Sequence, residues 1–483
     1  MRQDGKSHSS SKAAATKGEG APSKSGAQKR DHAQMTKEKE AATLSAAWPV
    51  NTYVLVHLPT PTGHGGCPKD SLRRAKIMHA RVRADLPEDQ AKSPSDFDYY
   101  LHISKVNRRL DDWFKFDKML PYDANKDPLH PKHPIPQPSK KPKPNPKQDG
   151  KGGGESGDDT DESGHEGMDR ASLAQHKQVT KLKTVQRILI GKHELTTWYF
   201  SPFPKEFCNR DMIYFCEFCL SFFRFPVELE HHMKRCRMRH PPGDEVYRDT
   251  ITVGGGGGRG GTERTLSMWE VDGFLARTWC ENLCFLAKLF LDHKTLAFDT
   301  APFLFYVLCE LDDTGSHIVG YFSKEKESKE GYNLACILTL PHHQRKGYGK
   351  FLIEFSYLLS RKEEKPGSPE KPLSDLGRTS YNSWWTWRLL TLLRSLGSRD
   401  SVTLEELSAQ TGMIIGDIEN TLKAIDCLKY TGGRYILALP PKLVDFHLRQ
   451  VGRPTIPVDP NKLHWSPFRY AEVLGNAGAA GVI

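Results

Sequence analysis

The chain has 483 residues, 37% of them hydrophobic, which is enough for at least one large core and for two or three domains. Its 69 Lys and Arg residues outnumber its 59 Asp and Glu residues, a balance that suits work beside an anionic polymer. We expect an intracellular protein that does not cross a membrane, because no run of about 18 apolar residues occurs and the start lacks a secretory signal pattern. Its 10 scattered cysteines are then better explained as thiols, metal ligands or nucleophiles than as a disulfide framework.

The first 180 residues alternate between tracts that cannot fold alone and one small module. Residues 1–46 are rich in Lys, Ser, Ala and Gly and are predicted to form a disordered basic arm. Residues 47–121 contain short apolar runs between turn residues, which predicts a small antiparallel β module closed by its last segment, Asn107–Trp113. Residues 122–180, a Pro/Lys stretch followed by a Gly/acidic stretch, are predicted to form a disordered linker.

Residues 181–460 are dense in aromatic and aliphatic side chains and are predicted to form one large domain. The run Gly254–Gly261 within it is expected to be a surface loop. Residues 461–483 form a tail that carries no recognisable signal.

A zinc-binding pattern, C-x2-C-x12-H-x3-C, lies near the start of the large domain at Cys216, Cys219, His232 and Cys236. Two thiolates separated by two residues, followed by a His and a Cys one helical turn apart, supply four ligands for a tetrahedral ion. His231 and His240 are nearby rivals, but only His232 keeps the usual spacing. Because four protein ligands leave no open coordination position, we expect a structural zinc.

An anion-binding pattern follows an apolar stretch that is predicted to be one buried strand, Asn333–Pro341. The next residues contain Gln-x-x-Gly-x-Gly, in which Gly347 and Gly349 allow backbone N–H groups to approach an anion closely. A helix with apolar positions on one face comes next, so its N-terminus would add its dipole. A pyrophosphate fits this arrangement, although a plain strand–turn–helix would explain the same letters.

Two short amphipathic helices are predicted between Thr403 and Leu428 because a capping-box spacing opens the segment and a glycine divides it. This is a helix-turn-helix shape. It could contact DNA, but we favour packing on the rest of the large domain.

Taken together, these motifs resemble the MYST family of histone acetyltransferases, over roughly residues 183–460. The matching stretches are Thr197–Pro202, Tyr214–Cys219, Ala287–Leu296, Val319–Glu325 and Gly367–Gly377. The resemblance implies an α+β fold: an acyl-CoA N-acetyltransferase-type core (265–385), an N-terminal zinc finger (214–240) and a C-terminal winged-helix-like part (400–450). The 47–121 module is similar to the chromo-barrel of the essential-acetyltransferase branch, a small β-barrel.

The family's reaction needs a base, because a lysine of pKa near 10.4 must lose its proton before it attacks a thioester. The resemblance assigns this role to Glu370, which would otherwise pass for an ordinary exposed carboxylate. Cys336, expected at the centre of the predicted strand, ranks second as the nucleophile of an acyl-cysteine intermediate. The resemblance also implies self-acetylation at Lys288.

The implied ligands are acetyl-CoA as co-substrate and structural zinc. The acetyl-CoA site carried over from the family comprises Ile337, Leu338, Thr339, Gln344, Arg345, Lys346, Gly347, Tyr348, Gly349, Lys350, Ser374 and Ser383.

The implied partners are histone tails in nucleosomes and a multisubunit nuclear acetyltransferase complex. Ile103 stands where the family has an aromatic residue that could help to cage a methyl-ammonium, so the barrel fits binding of nucleic acid or of a partner at least as well as methyl-lysine recognition. The basic arm is a second candidate for nucleic-acid contact. The rival functions are a catalytically weak chromatin-binding adaptor and, less favoured, a sequence-specific DNA-binding protein.

Overall fold

The computed structural model describes residues 47–58, 72–87, 90, 93–123, 182–208, 210–253, 262–292, 294, 299–397 and 401–467. The predictions made for residues 1–46, for nearly all of the linker and for Gly254–Gly261 fall outside this part. The described residues divide into an N-terminal unit, within 47–107 and 111–123, and a large unit, within 182–467, to which 108–110 also belong. Among the helices described, none is long and apolar enough to cross a membrane.

The N-terminal unit is a five-stranded antiparallel sheet in the order β4-β3-β2-β1-β5. Its strands are β1 Tyr53–His57, β2 Leu72–Val82, β3 Phe97–Ile103, β4 Asp112–Lys115 and β5 Met119–Pro121. Alternate residues of β3, including Phe97, Tyr99 and Leu101, lie in the core of this unit. The closing segment was predicted too early in the chain, because the strand that pairs with the far side of β1 is β5 rather than Asn107–Trp113.

The first part of the large unit is a small four-stranded sheet followed by one helix. The sheet has the order β7-β6-β8-β9, and the helix α1 follows β9 directly. These elements are β6 Val185–Ile190, β7 His193–Thr196, β8 Arg210–Phe215, β9 Phe222–Phe223 and α1 Pro226–Met233.

The centre of the large unit is a five-stranded antiparallel sheet, ordered β10-β11-β12-β13-β15, between two helices. Alternation along β12 sends Phe305 and Val307 to a core shared with α2, and Tyr306 and Leu308 to a core shared with α3. The elements are β10 Asp244–Val253, β11 Thr262–Asp272, α2 Arg277–Lys288, β12 Phe303–Asp312, β13 Gly315–Glu325, β15 Ile337–Thr339 and α3 Tyr348–Lys362.

The stretch Asn333–Pro341 is not the single strand that its run of apolar residues predicted. It divides into β14 Tyr332–Leu334, which pairs in parallel with β16 Ser368–Pro369, and β15, which pairs with β13. At the division, the backbone of Ser323 bonds both Ala335 and Cys336, so two residues face one, as in a β-bulge. Cys336 therefore lies at a break between two strands rather than at the centre of one.

The C-terminal part packs on α3, which confirms the favoured placement of the helix-turn-helix. Leu407, Ile418 and Leu422 share a core with Ile353 and Tyr357 of α3. A β-hairpin follows the two helices, giving the winged-helix-like shape that was predicted. The elements are α4 Asp375–Leu396, α5 Leu404–Thr411, α6 Ile415–Ala424, β17 Leu428–Thr431, β18 Arg434–Leu437 and α7 Pro441–Val451.

The residues after α7 return to the central sheet. We call residues 451–465 the C-terminal strap. Ile456 and Val458 are buried in the core between the sheet and α3, the His464 N–H donates to the carbonyl of Val246, and the Trp465 indole donates to Glu270 at 2.6 Å. The described start of the tail thus belongs to the fold, although its sequence carries no signal. The α+β fold class is confirmed.

Candidate acetyl-transfer site and zinc centre

The four predicted zinc ligands converge in the described structure. The ligand atoms of Cys216, Cys219, His232 and Cys236 all lie within 4.8 Å of one another. The tight turn after β8 brings the first two together: Leu220 adopts a left-handed φ of 59°, and its N–H donates to the carbonyl of Cys216 at 2.9 Å. Three thiols and one imidazole at this separation fit a tetrahedral structural zinc.

Neither rival imidazole belongs to this group. The ring of His240 is stacked on Trp269, with centroids 4.6 Å apart and planes 11° from parallel. His231 is exposed. The imidazole that the spacing predicted is therefore the one that lies among the three thiols in the described structure.

Glu370 and Cys336 are brought together at the break between β14 and β15. The Glu370 N–H donates to the carbonyl of Leu334 at 2.8 Å, two residues before Cys336. Ser323 fixes the other side: its backbone N–H donates to the Cys336 carbonyl at 2.9 Å, and its hydroxyl accepts the Cys336 N–H at 3.1 Å. The candidate base and the candidate nucleophile thus share one backbone framework.

Charges around Glu370 act in opposite directions on its carboxylate. Partial burial and the negative charge of Glu325 raise the pKa of Glu370, while Lys294 lowers it. Glu370 is nevertheless exposed. A solvent-accessible carboxylate whose pKa is raised is a stronger proton acceptor than an ordinary one, as a general base requires.

Lys294 is a charged residue at this site that the sequence motifs did not indicate. Burial alone would lower the pKa of Lys294, but its interactions with Cys336, Cys284 and Glu370 raise it. Lys288, which was selected, lies on the buried side of α2, and its Nζ donates to the carbonyls of Leu291 and Asp292 at 3.2 and 2.7 Å. Burial lowers the pKa of Lys288 to about 8.

The loop after β15, residues 344–350, has a backbone shape suited to binding an anion, and we call it the cradle. Arg345 and Gly347 both adopt left-handed φ values, 63° and 99°, and Gly347 is the N-cap of α3. The Gln344 amide donates to the Thr339 carbonyl at 3.0 Å, which ties the loop to β15. Since the first N–H groups of a helix have no partner inside it, the backbone of Tyr348, Gly349 and Lys350 is free to face an anion.

Several predicted cofactor side chains already have partners within the protein. Tyr348 is fully buried and its hydroxyl bonds Glu310 and Arg264, so only its backbone is available to a ligand. The Lys350 ammonium and the Ser383 hydroxyl both donate to the carbonyl of Val451, at 2.8 and 3.3 Å.

The remaining members of the predicted set occupy three kinds of environment. Leu338 is buried, whereas Ile337 and Thr339 are half-buried. Arg345 and Lys346, in the loop itself, are exposed. Ser374 caps α4, its hydroxyl accepting the Gly377 N–H at 3.1 Å.

The C-terminal strap borders the cradle, which sequence reasoning did not anticipate. A Cβ atom at Gly347 would lie 3.1 Å from the Cβ of Thr455, whereas one at Gly349 would lie 3.6 Å from the hydroxyl of Thr339. The first glycine is thus required by its positive φ and by the strap. The second has ordinary room for a methyl group.

Family models match most of the described chain. Residues 240–463 match the MOZ/SAS family, residues 182–236 the MYST family zinc finger domain, and residues 52–121 the RNA binding activity-knot of a chromodomain.

Two curated relatives match over most of their own length, and a third matches over a smaller share. Histone acetyltransferase of the MYST family 1 from Arabidopsis thaliana is 46% identical over 375 residues, 78% of this chain and 79% of the relative. Histone acetyltransferase ESA1 from Saccharomyces cerevisiae is 40% identical over 430 residues, 82% of this chain and 90% of the relative. Histone acetyltransferase MOF from Drosophila melanogaster is 46% identical over 309 residues, 64% of this chain and 36% of that longer protein.

Proposed function

The chain belongs to the MYST family of histone acetyltransferases, and we propose that it acetylates lysine side chains of nucleosomal histone tails with Glu370 as the general base. The observation that supports the catalytic assignment is the hydrogen bond from the Glu370 N–H to the Leu334 carbonyl, since Leu334 is two residues from Cys336 and three from the start of β15. The other end of β15 leads directly into the anion cradle.

The proposed reaction is a direct attack within a ternary complex. The substrate lysine enters beside Glu370, whose carboxylate removes a proton from the ammonium. The neutral amine then attacks the thioester carbonyl of acetyl-CoA, a C–N bond forms and the C–S bond breaks. The new amide nitrogen gives its extra proton to the departing CoA thiolate, which leaves as the thiol, and Glu370 returns its own proton to solvent. The raised pKa of Glu370 brings it closer to the working pH, which favours its use in both proton uptake and release.

Acetyl-CoA is proposed to lie along β15, from Cys336 to the cradle. The backbone of Ile337, Leu338 and Thr339 would align the acetyl group and the pantetheine arm, while residues 344–350 would receive the pyrophosphate. Because Lys350 and Ser383 already donate to Val451, their contribution requires either a shared bond or a small rearrangement when acetyl-CoA binds. Ser374 would act from the start of α4.

An acyl-cysteine intermediate at Cys336 is the second candidate mechanism. Cys336 is half-buried, so its thiol is not sealed inside the core, and Lys294 interacts with it electrostatically. Direct attack is preferred because Glu370 needs no second nucleophile to complete the transfer.

Self-acetylation at Lys288 is also part of the proposal, with a structural constraint. Its two bonds to backbone carbonyls must break before its amine reacts. Lys294 is the lysine that lies among the catalytic groups, so peptide mass spectrometry after incubation with acetyl-CoA should distinguish the two positions.

The proposed setting is the nucleus, with chromatin as the site of action and a multisubunit complex as the form in which the enzyme works. The relatives named as histone acetyltransferases support histone substrates and chromatin association. Contact with nucleic acid through the basic arm or the N-terminal unit is proposed on the similarity of residues 52–121 to the RNA binding activity-knot of a chromodomain. The Cys216–Cys236 zinc would stabilise the fold and take no part in the chemistry.

The purified full chain should transfer label from acetyl-CoA to core histones, with a rate that depends on Glu370. A protein that binds nucleosomes but transfers no label would instead be the chromatin-binding adaptor, which the complete set of candidate catalytic groups disfavours.

A further inference from the structure

The short segment that carries Glu370 is held from two sides by parts of the chain that are far apart in sequence. On one side, β16 pairs with β14, and the Glu370 N–H bonds the carbonyl of Leu334. A Cβ atom at Gly367 would lie only 2.5 Å from the Cβ of Asn333, so the two backbones are in close contact here. This side connects the base to the catalytic sheet.

The other side is the turn of the helix-turn-helix. The Gly367 N–H donates to the Gly412 carbonyl at 2.9 Å, and the Ile414 N–H donates back to the Gly367 carbonyl at 3.3 Å. Gly367 and Met413 form an isolated parallel bridge. The turn between α5 and α6 therefore acts as a second short strand against the segment.

Asp417, in the first turn of α6, bonds Ser368 and Lys371, which lie on either side of Glu370 along the chain. It is 3% exposed, and its carboxylate accepts the Ser368 hydroxyl at 2.7 Å and the Lys371 ammonium at 3.4 Å. Ser368 is itself buried, whereas the Lys371 side chain is half in solvent. The tighter and better shielded bond is thus the one to Ser368.

A buried carboxylate is costly for a protein unless it is fully paired, so its partners indicate what it does. Both side-chain partners of Asp417 lie within two residues of Glu370, on either side of it along the chain. Their bonds restrict the rotation and the position of the backbone from which the Glu370 side chain projects. An acidic residue in the first turn of a helix also interacts favourably with the helix dipole, but an exposed carboxylate would serve that purpose without the cost of burial.

We propose that Asp417 is a positioning residue for the general base, acting through Ser368 and Lys371. In this proposal the C-terminal helix-turn-helix holds the backbone segment that carries Glu370 in place. The inference rests on the proposed role of Glu370 in proton removal. Asp417 touches neither substrate nor acetyl-CoA in this arrangement; it fixes where the carboxylate of Glu370 stands.

The test compares Asp417→Asn in the wild-type and Glu370→Gln backgrounds, in the full chain and well below the unfolding temperature of each variant. Asp417→Asn should lower kcat by about 10–100-fold, the loss typical of a displaced catalytic group, and leave the KM for acetyl-CoA within about twofold. In the Glu370→Gln background the same change should have almost no further effect, because two residues that act as a unit are not additive.

Two further variants keep the experiment informative. Glu419→Gln, on the same helix, removes only the half-buried ion-pair partner of Lys423 and should leave kcat unchanged. Lys371→Met removes the more exposed link and leaves the bond between Ser368 and Asp417 in place; it should lower kcat in the same direction by less.

The outcomes separate the two ideas. Near-normal turnover in Glu370→Gln alone would overturn the base assignment itself. If Glu370→Gln is slow but Asp417→Asn lowers kcat by the same factor in both backgrounds, or has no effect on kcat in folded protein, then Asp417 does not act through the base.

Discussion

The zinc centre and the acetyl-transfer site are built in opposite ways. All four zinc ligands lie between residues 216 and 236, and a tight turn and one helix bring them together. The acetyl-transfer site is formed by residues from distant parts of the chain, Lys294, Ser323, Cys336 and Glu370. Asp417 bonds Ser368, two residues before Glu370. The first site therefore reports on local folding, whereas the second forms only when the sheet and the C-terminal part have both assembled.

The largest effect should follow from breaking the local site. Cys219→Ser removes one of four ligands, and because zinc binding contributes directly to folding, the large unit should unfold or melt at much lower temperature. Circular dichroism and bound-zinc measurements check this. Cys208→Ser, a half-buried thiol outside the ligand group, is the matched control. A folded, zinc-free Cys219→Ser protein whose only defect is slow turnover would contradict a structural role.

The next largest effect should come from Glu370→Gln, which keeps the fold but cannot accept a proton. The chemical step should slow by roughly 10²–10⁴-fold, the range typical of a lost general base, while acetyl-CoA still binds. Because the free amine of the substrate lysine becomes more abundant as pH rises, the rate of the variant should partly recover at high pH. The measurement is a pH–rate profile with saturating acetyl-CoA and histone-tail peptide.

Cys336→Ala is the companion variant in the same profile. It should retain substantial turnover if the amine attacks the thioester directly. Abolished turnover in Cys336→Ala, with loss of an acetylated-enzyme species and near-normal Glu370→Gln, would make Cys336 the principal catalytic group.

A smaller effect is expected at the cradle. Gly349→Ala places a methyl group where the pyrophosphate would approach the backbone, yet it meets only the Thr339 hydroxyl at 3.6 Å, so folding should be unaffected. The KM for acetyl-CoA should rise by about tenfold, as expected when a hydrogen bond to a charged group is lost. Gly416→Ala, which has open space around it in the first turn of α6, is the control. An unchanged KM would place the pyrophosphate elsewhere.

Gly347 is a less suitable position for this substitution, because a side chain there would also displace Thr455 of the strap.

The smallest effect concerns the charge balance at the base. Lys294 lowers the pKa of Glu370, so Lys294→Met should leave burial and Glu325 unopposed and raise that pKa. Since the base acts in its ionised form, the acidic limb of the kcat/KM profile should move to higher pH. Lys294→Arg, which keeps the charge, should leave the limb near its wild-type position. A limb that moves to lower pH in Lys294→Met would show that Lys294 does not stabilise the ionised carboxylate.

This contrast also explains what the sequence could predict. The four zinc ligands follow from spacing, and α3 follows from its 3.6-residue periodicity, since Phe351, Leu352 and Phe355 are all buried as expected. The capping box of α5 is equally local: the Thr403 hydroxyl accepts the Glu406 N–H at 3.1 Å. In each case the information lies within a few turns of the chain.

The features that escaped prediction depend on distant partners. Apolar letters could not reveal the break at Cys336, because Ser323 on a neighbouring strand creates it. From the sequence alone, Asp417 is an ordinary acidic residue near a helix N-terminus. Only the structure shows its hydrogen bond with Ser368. The strap is short and rich in proline, and its burial becomes evident only from its contacts with β10 and Gly347.

The C-terminal strap has a consequence for the order in which the enzyme matures during synthesis. Thr455 borders the cradle, Val451 receives Lys350 and Ser383, and Trp465 bonds β11 through Glu270. Because a ribosome releases the chain from its N-terminus, the zinc module can fold while the strap is still inside the exit tunnel, whereas the cradle waits for residues 451–465. A nascent chain should therefore acquire zinc well before it acquires the capacity to bind acetyl-CoA.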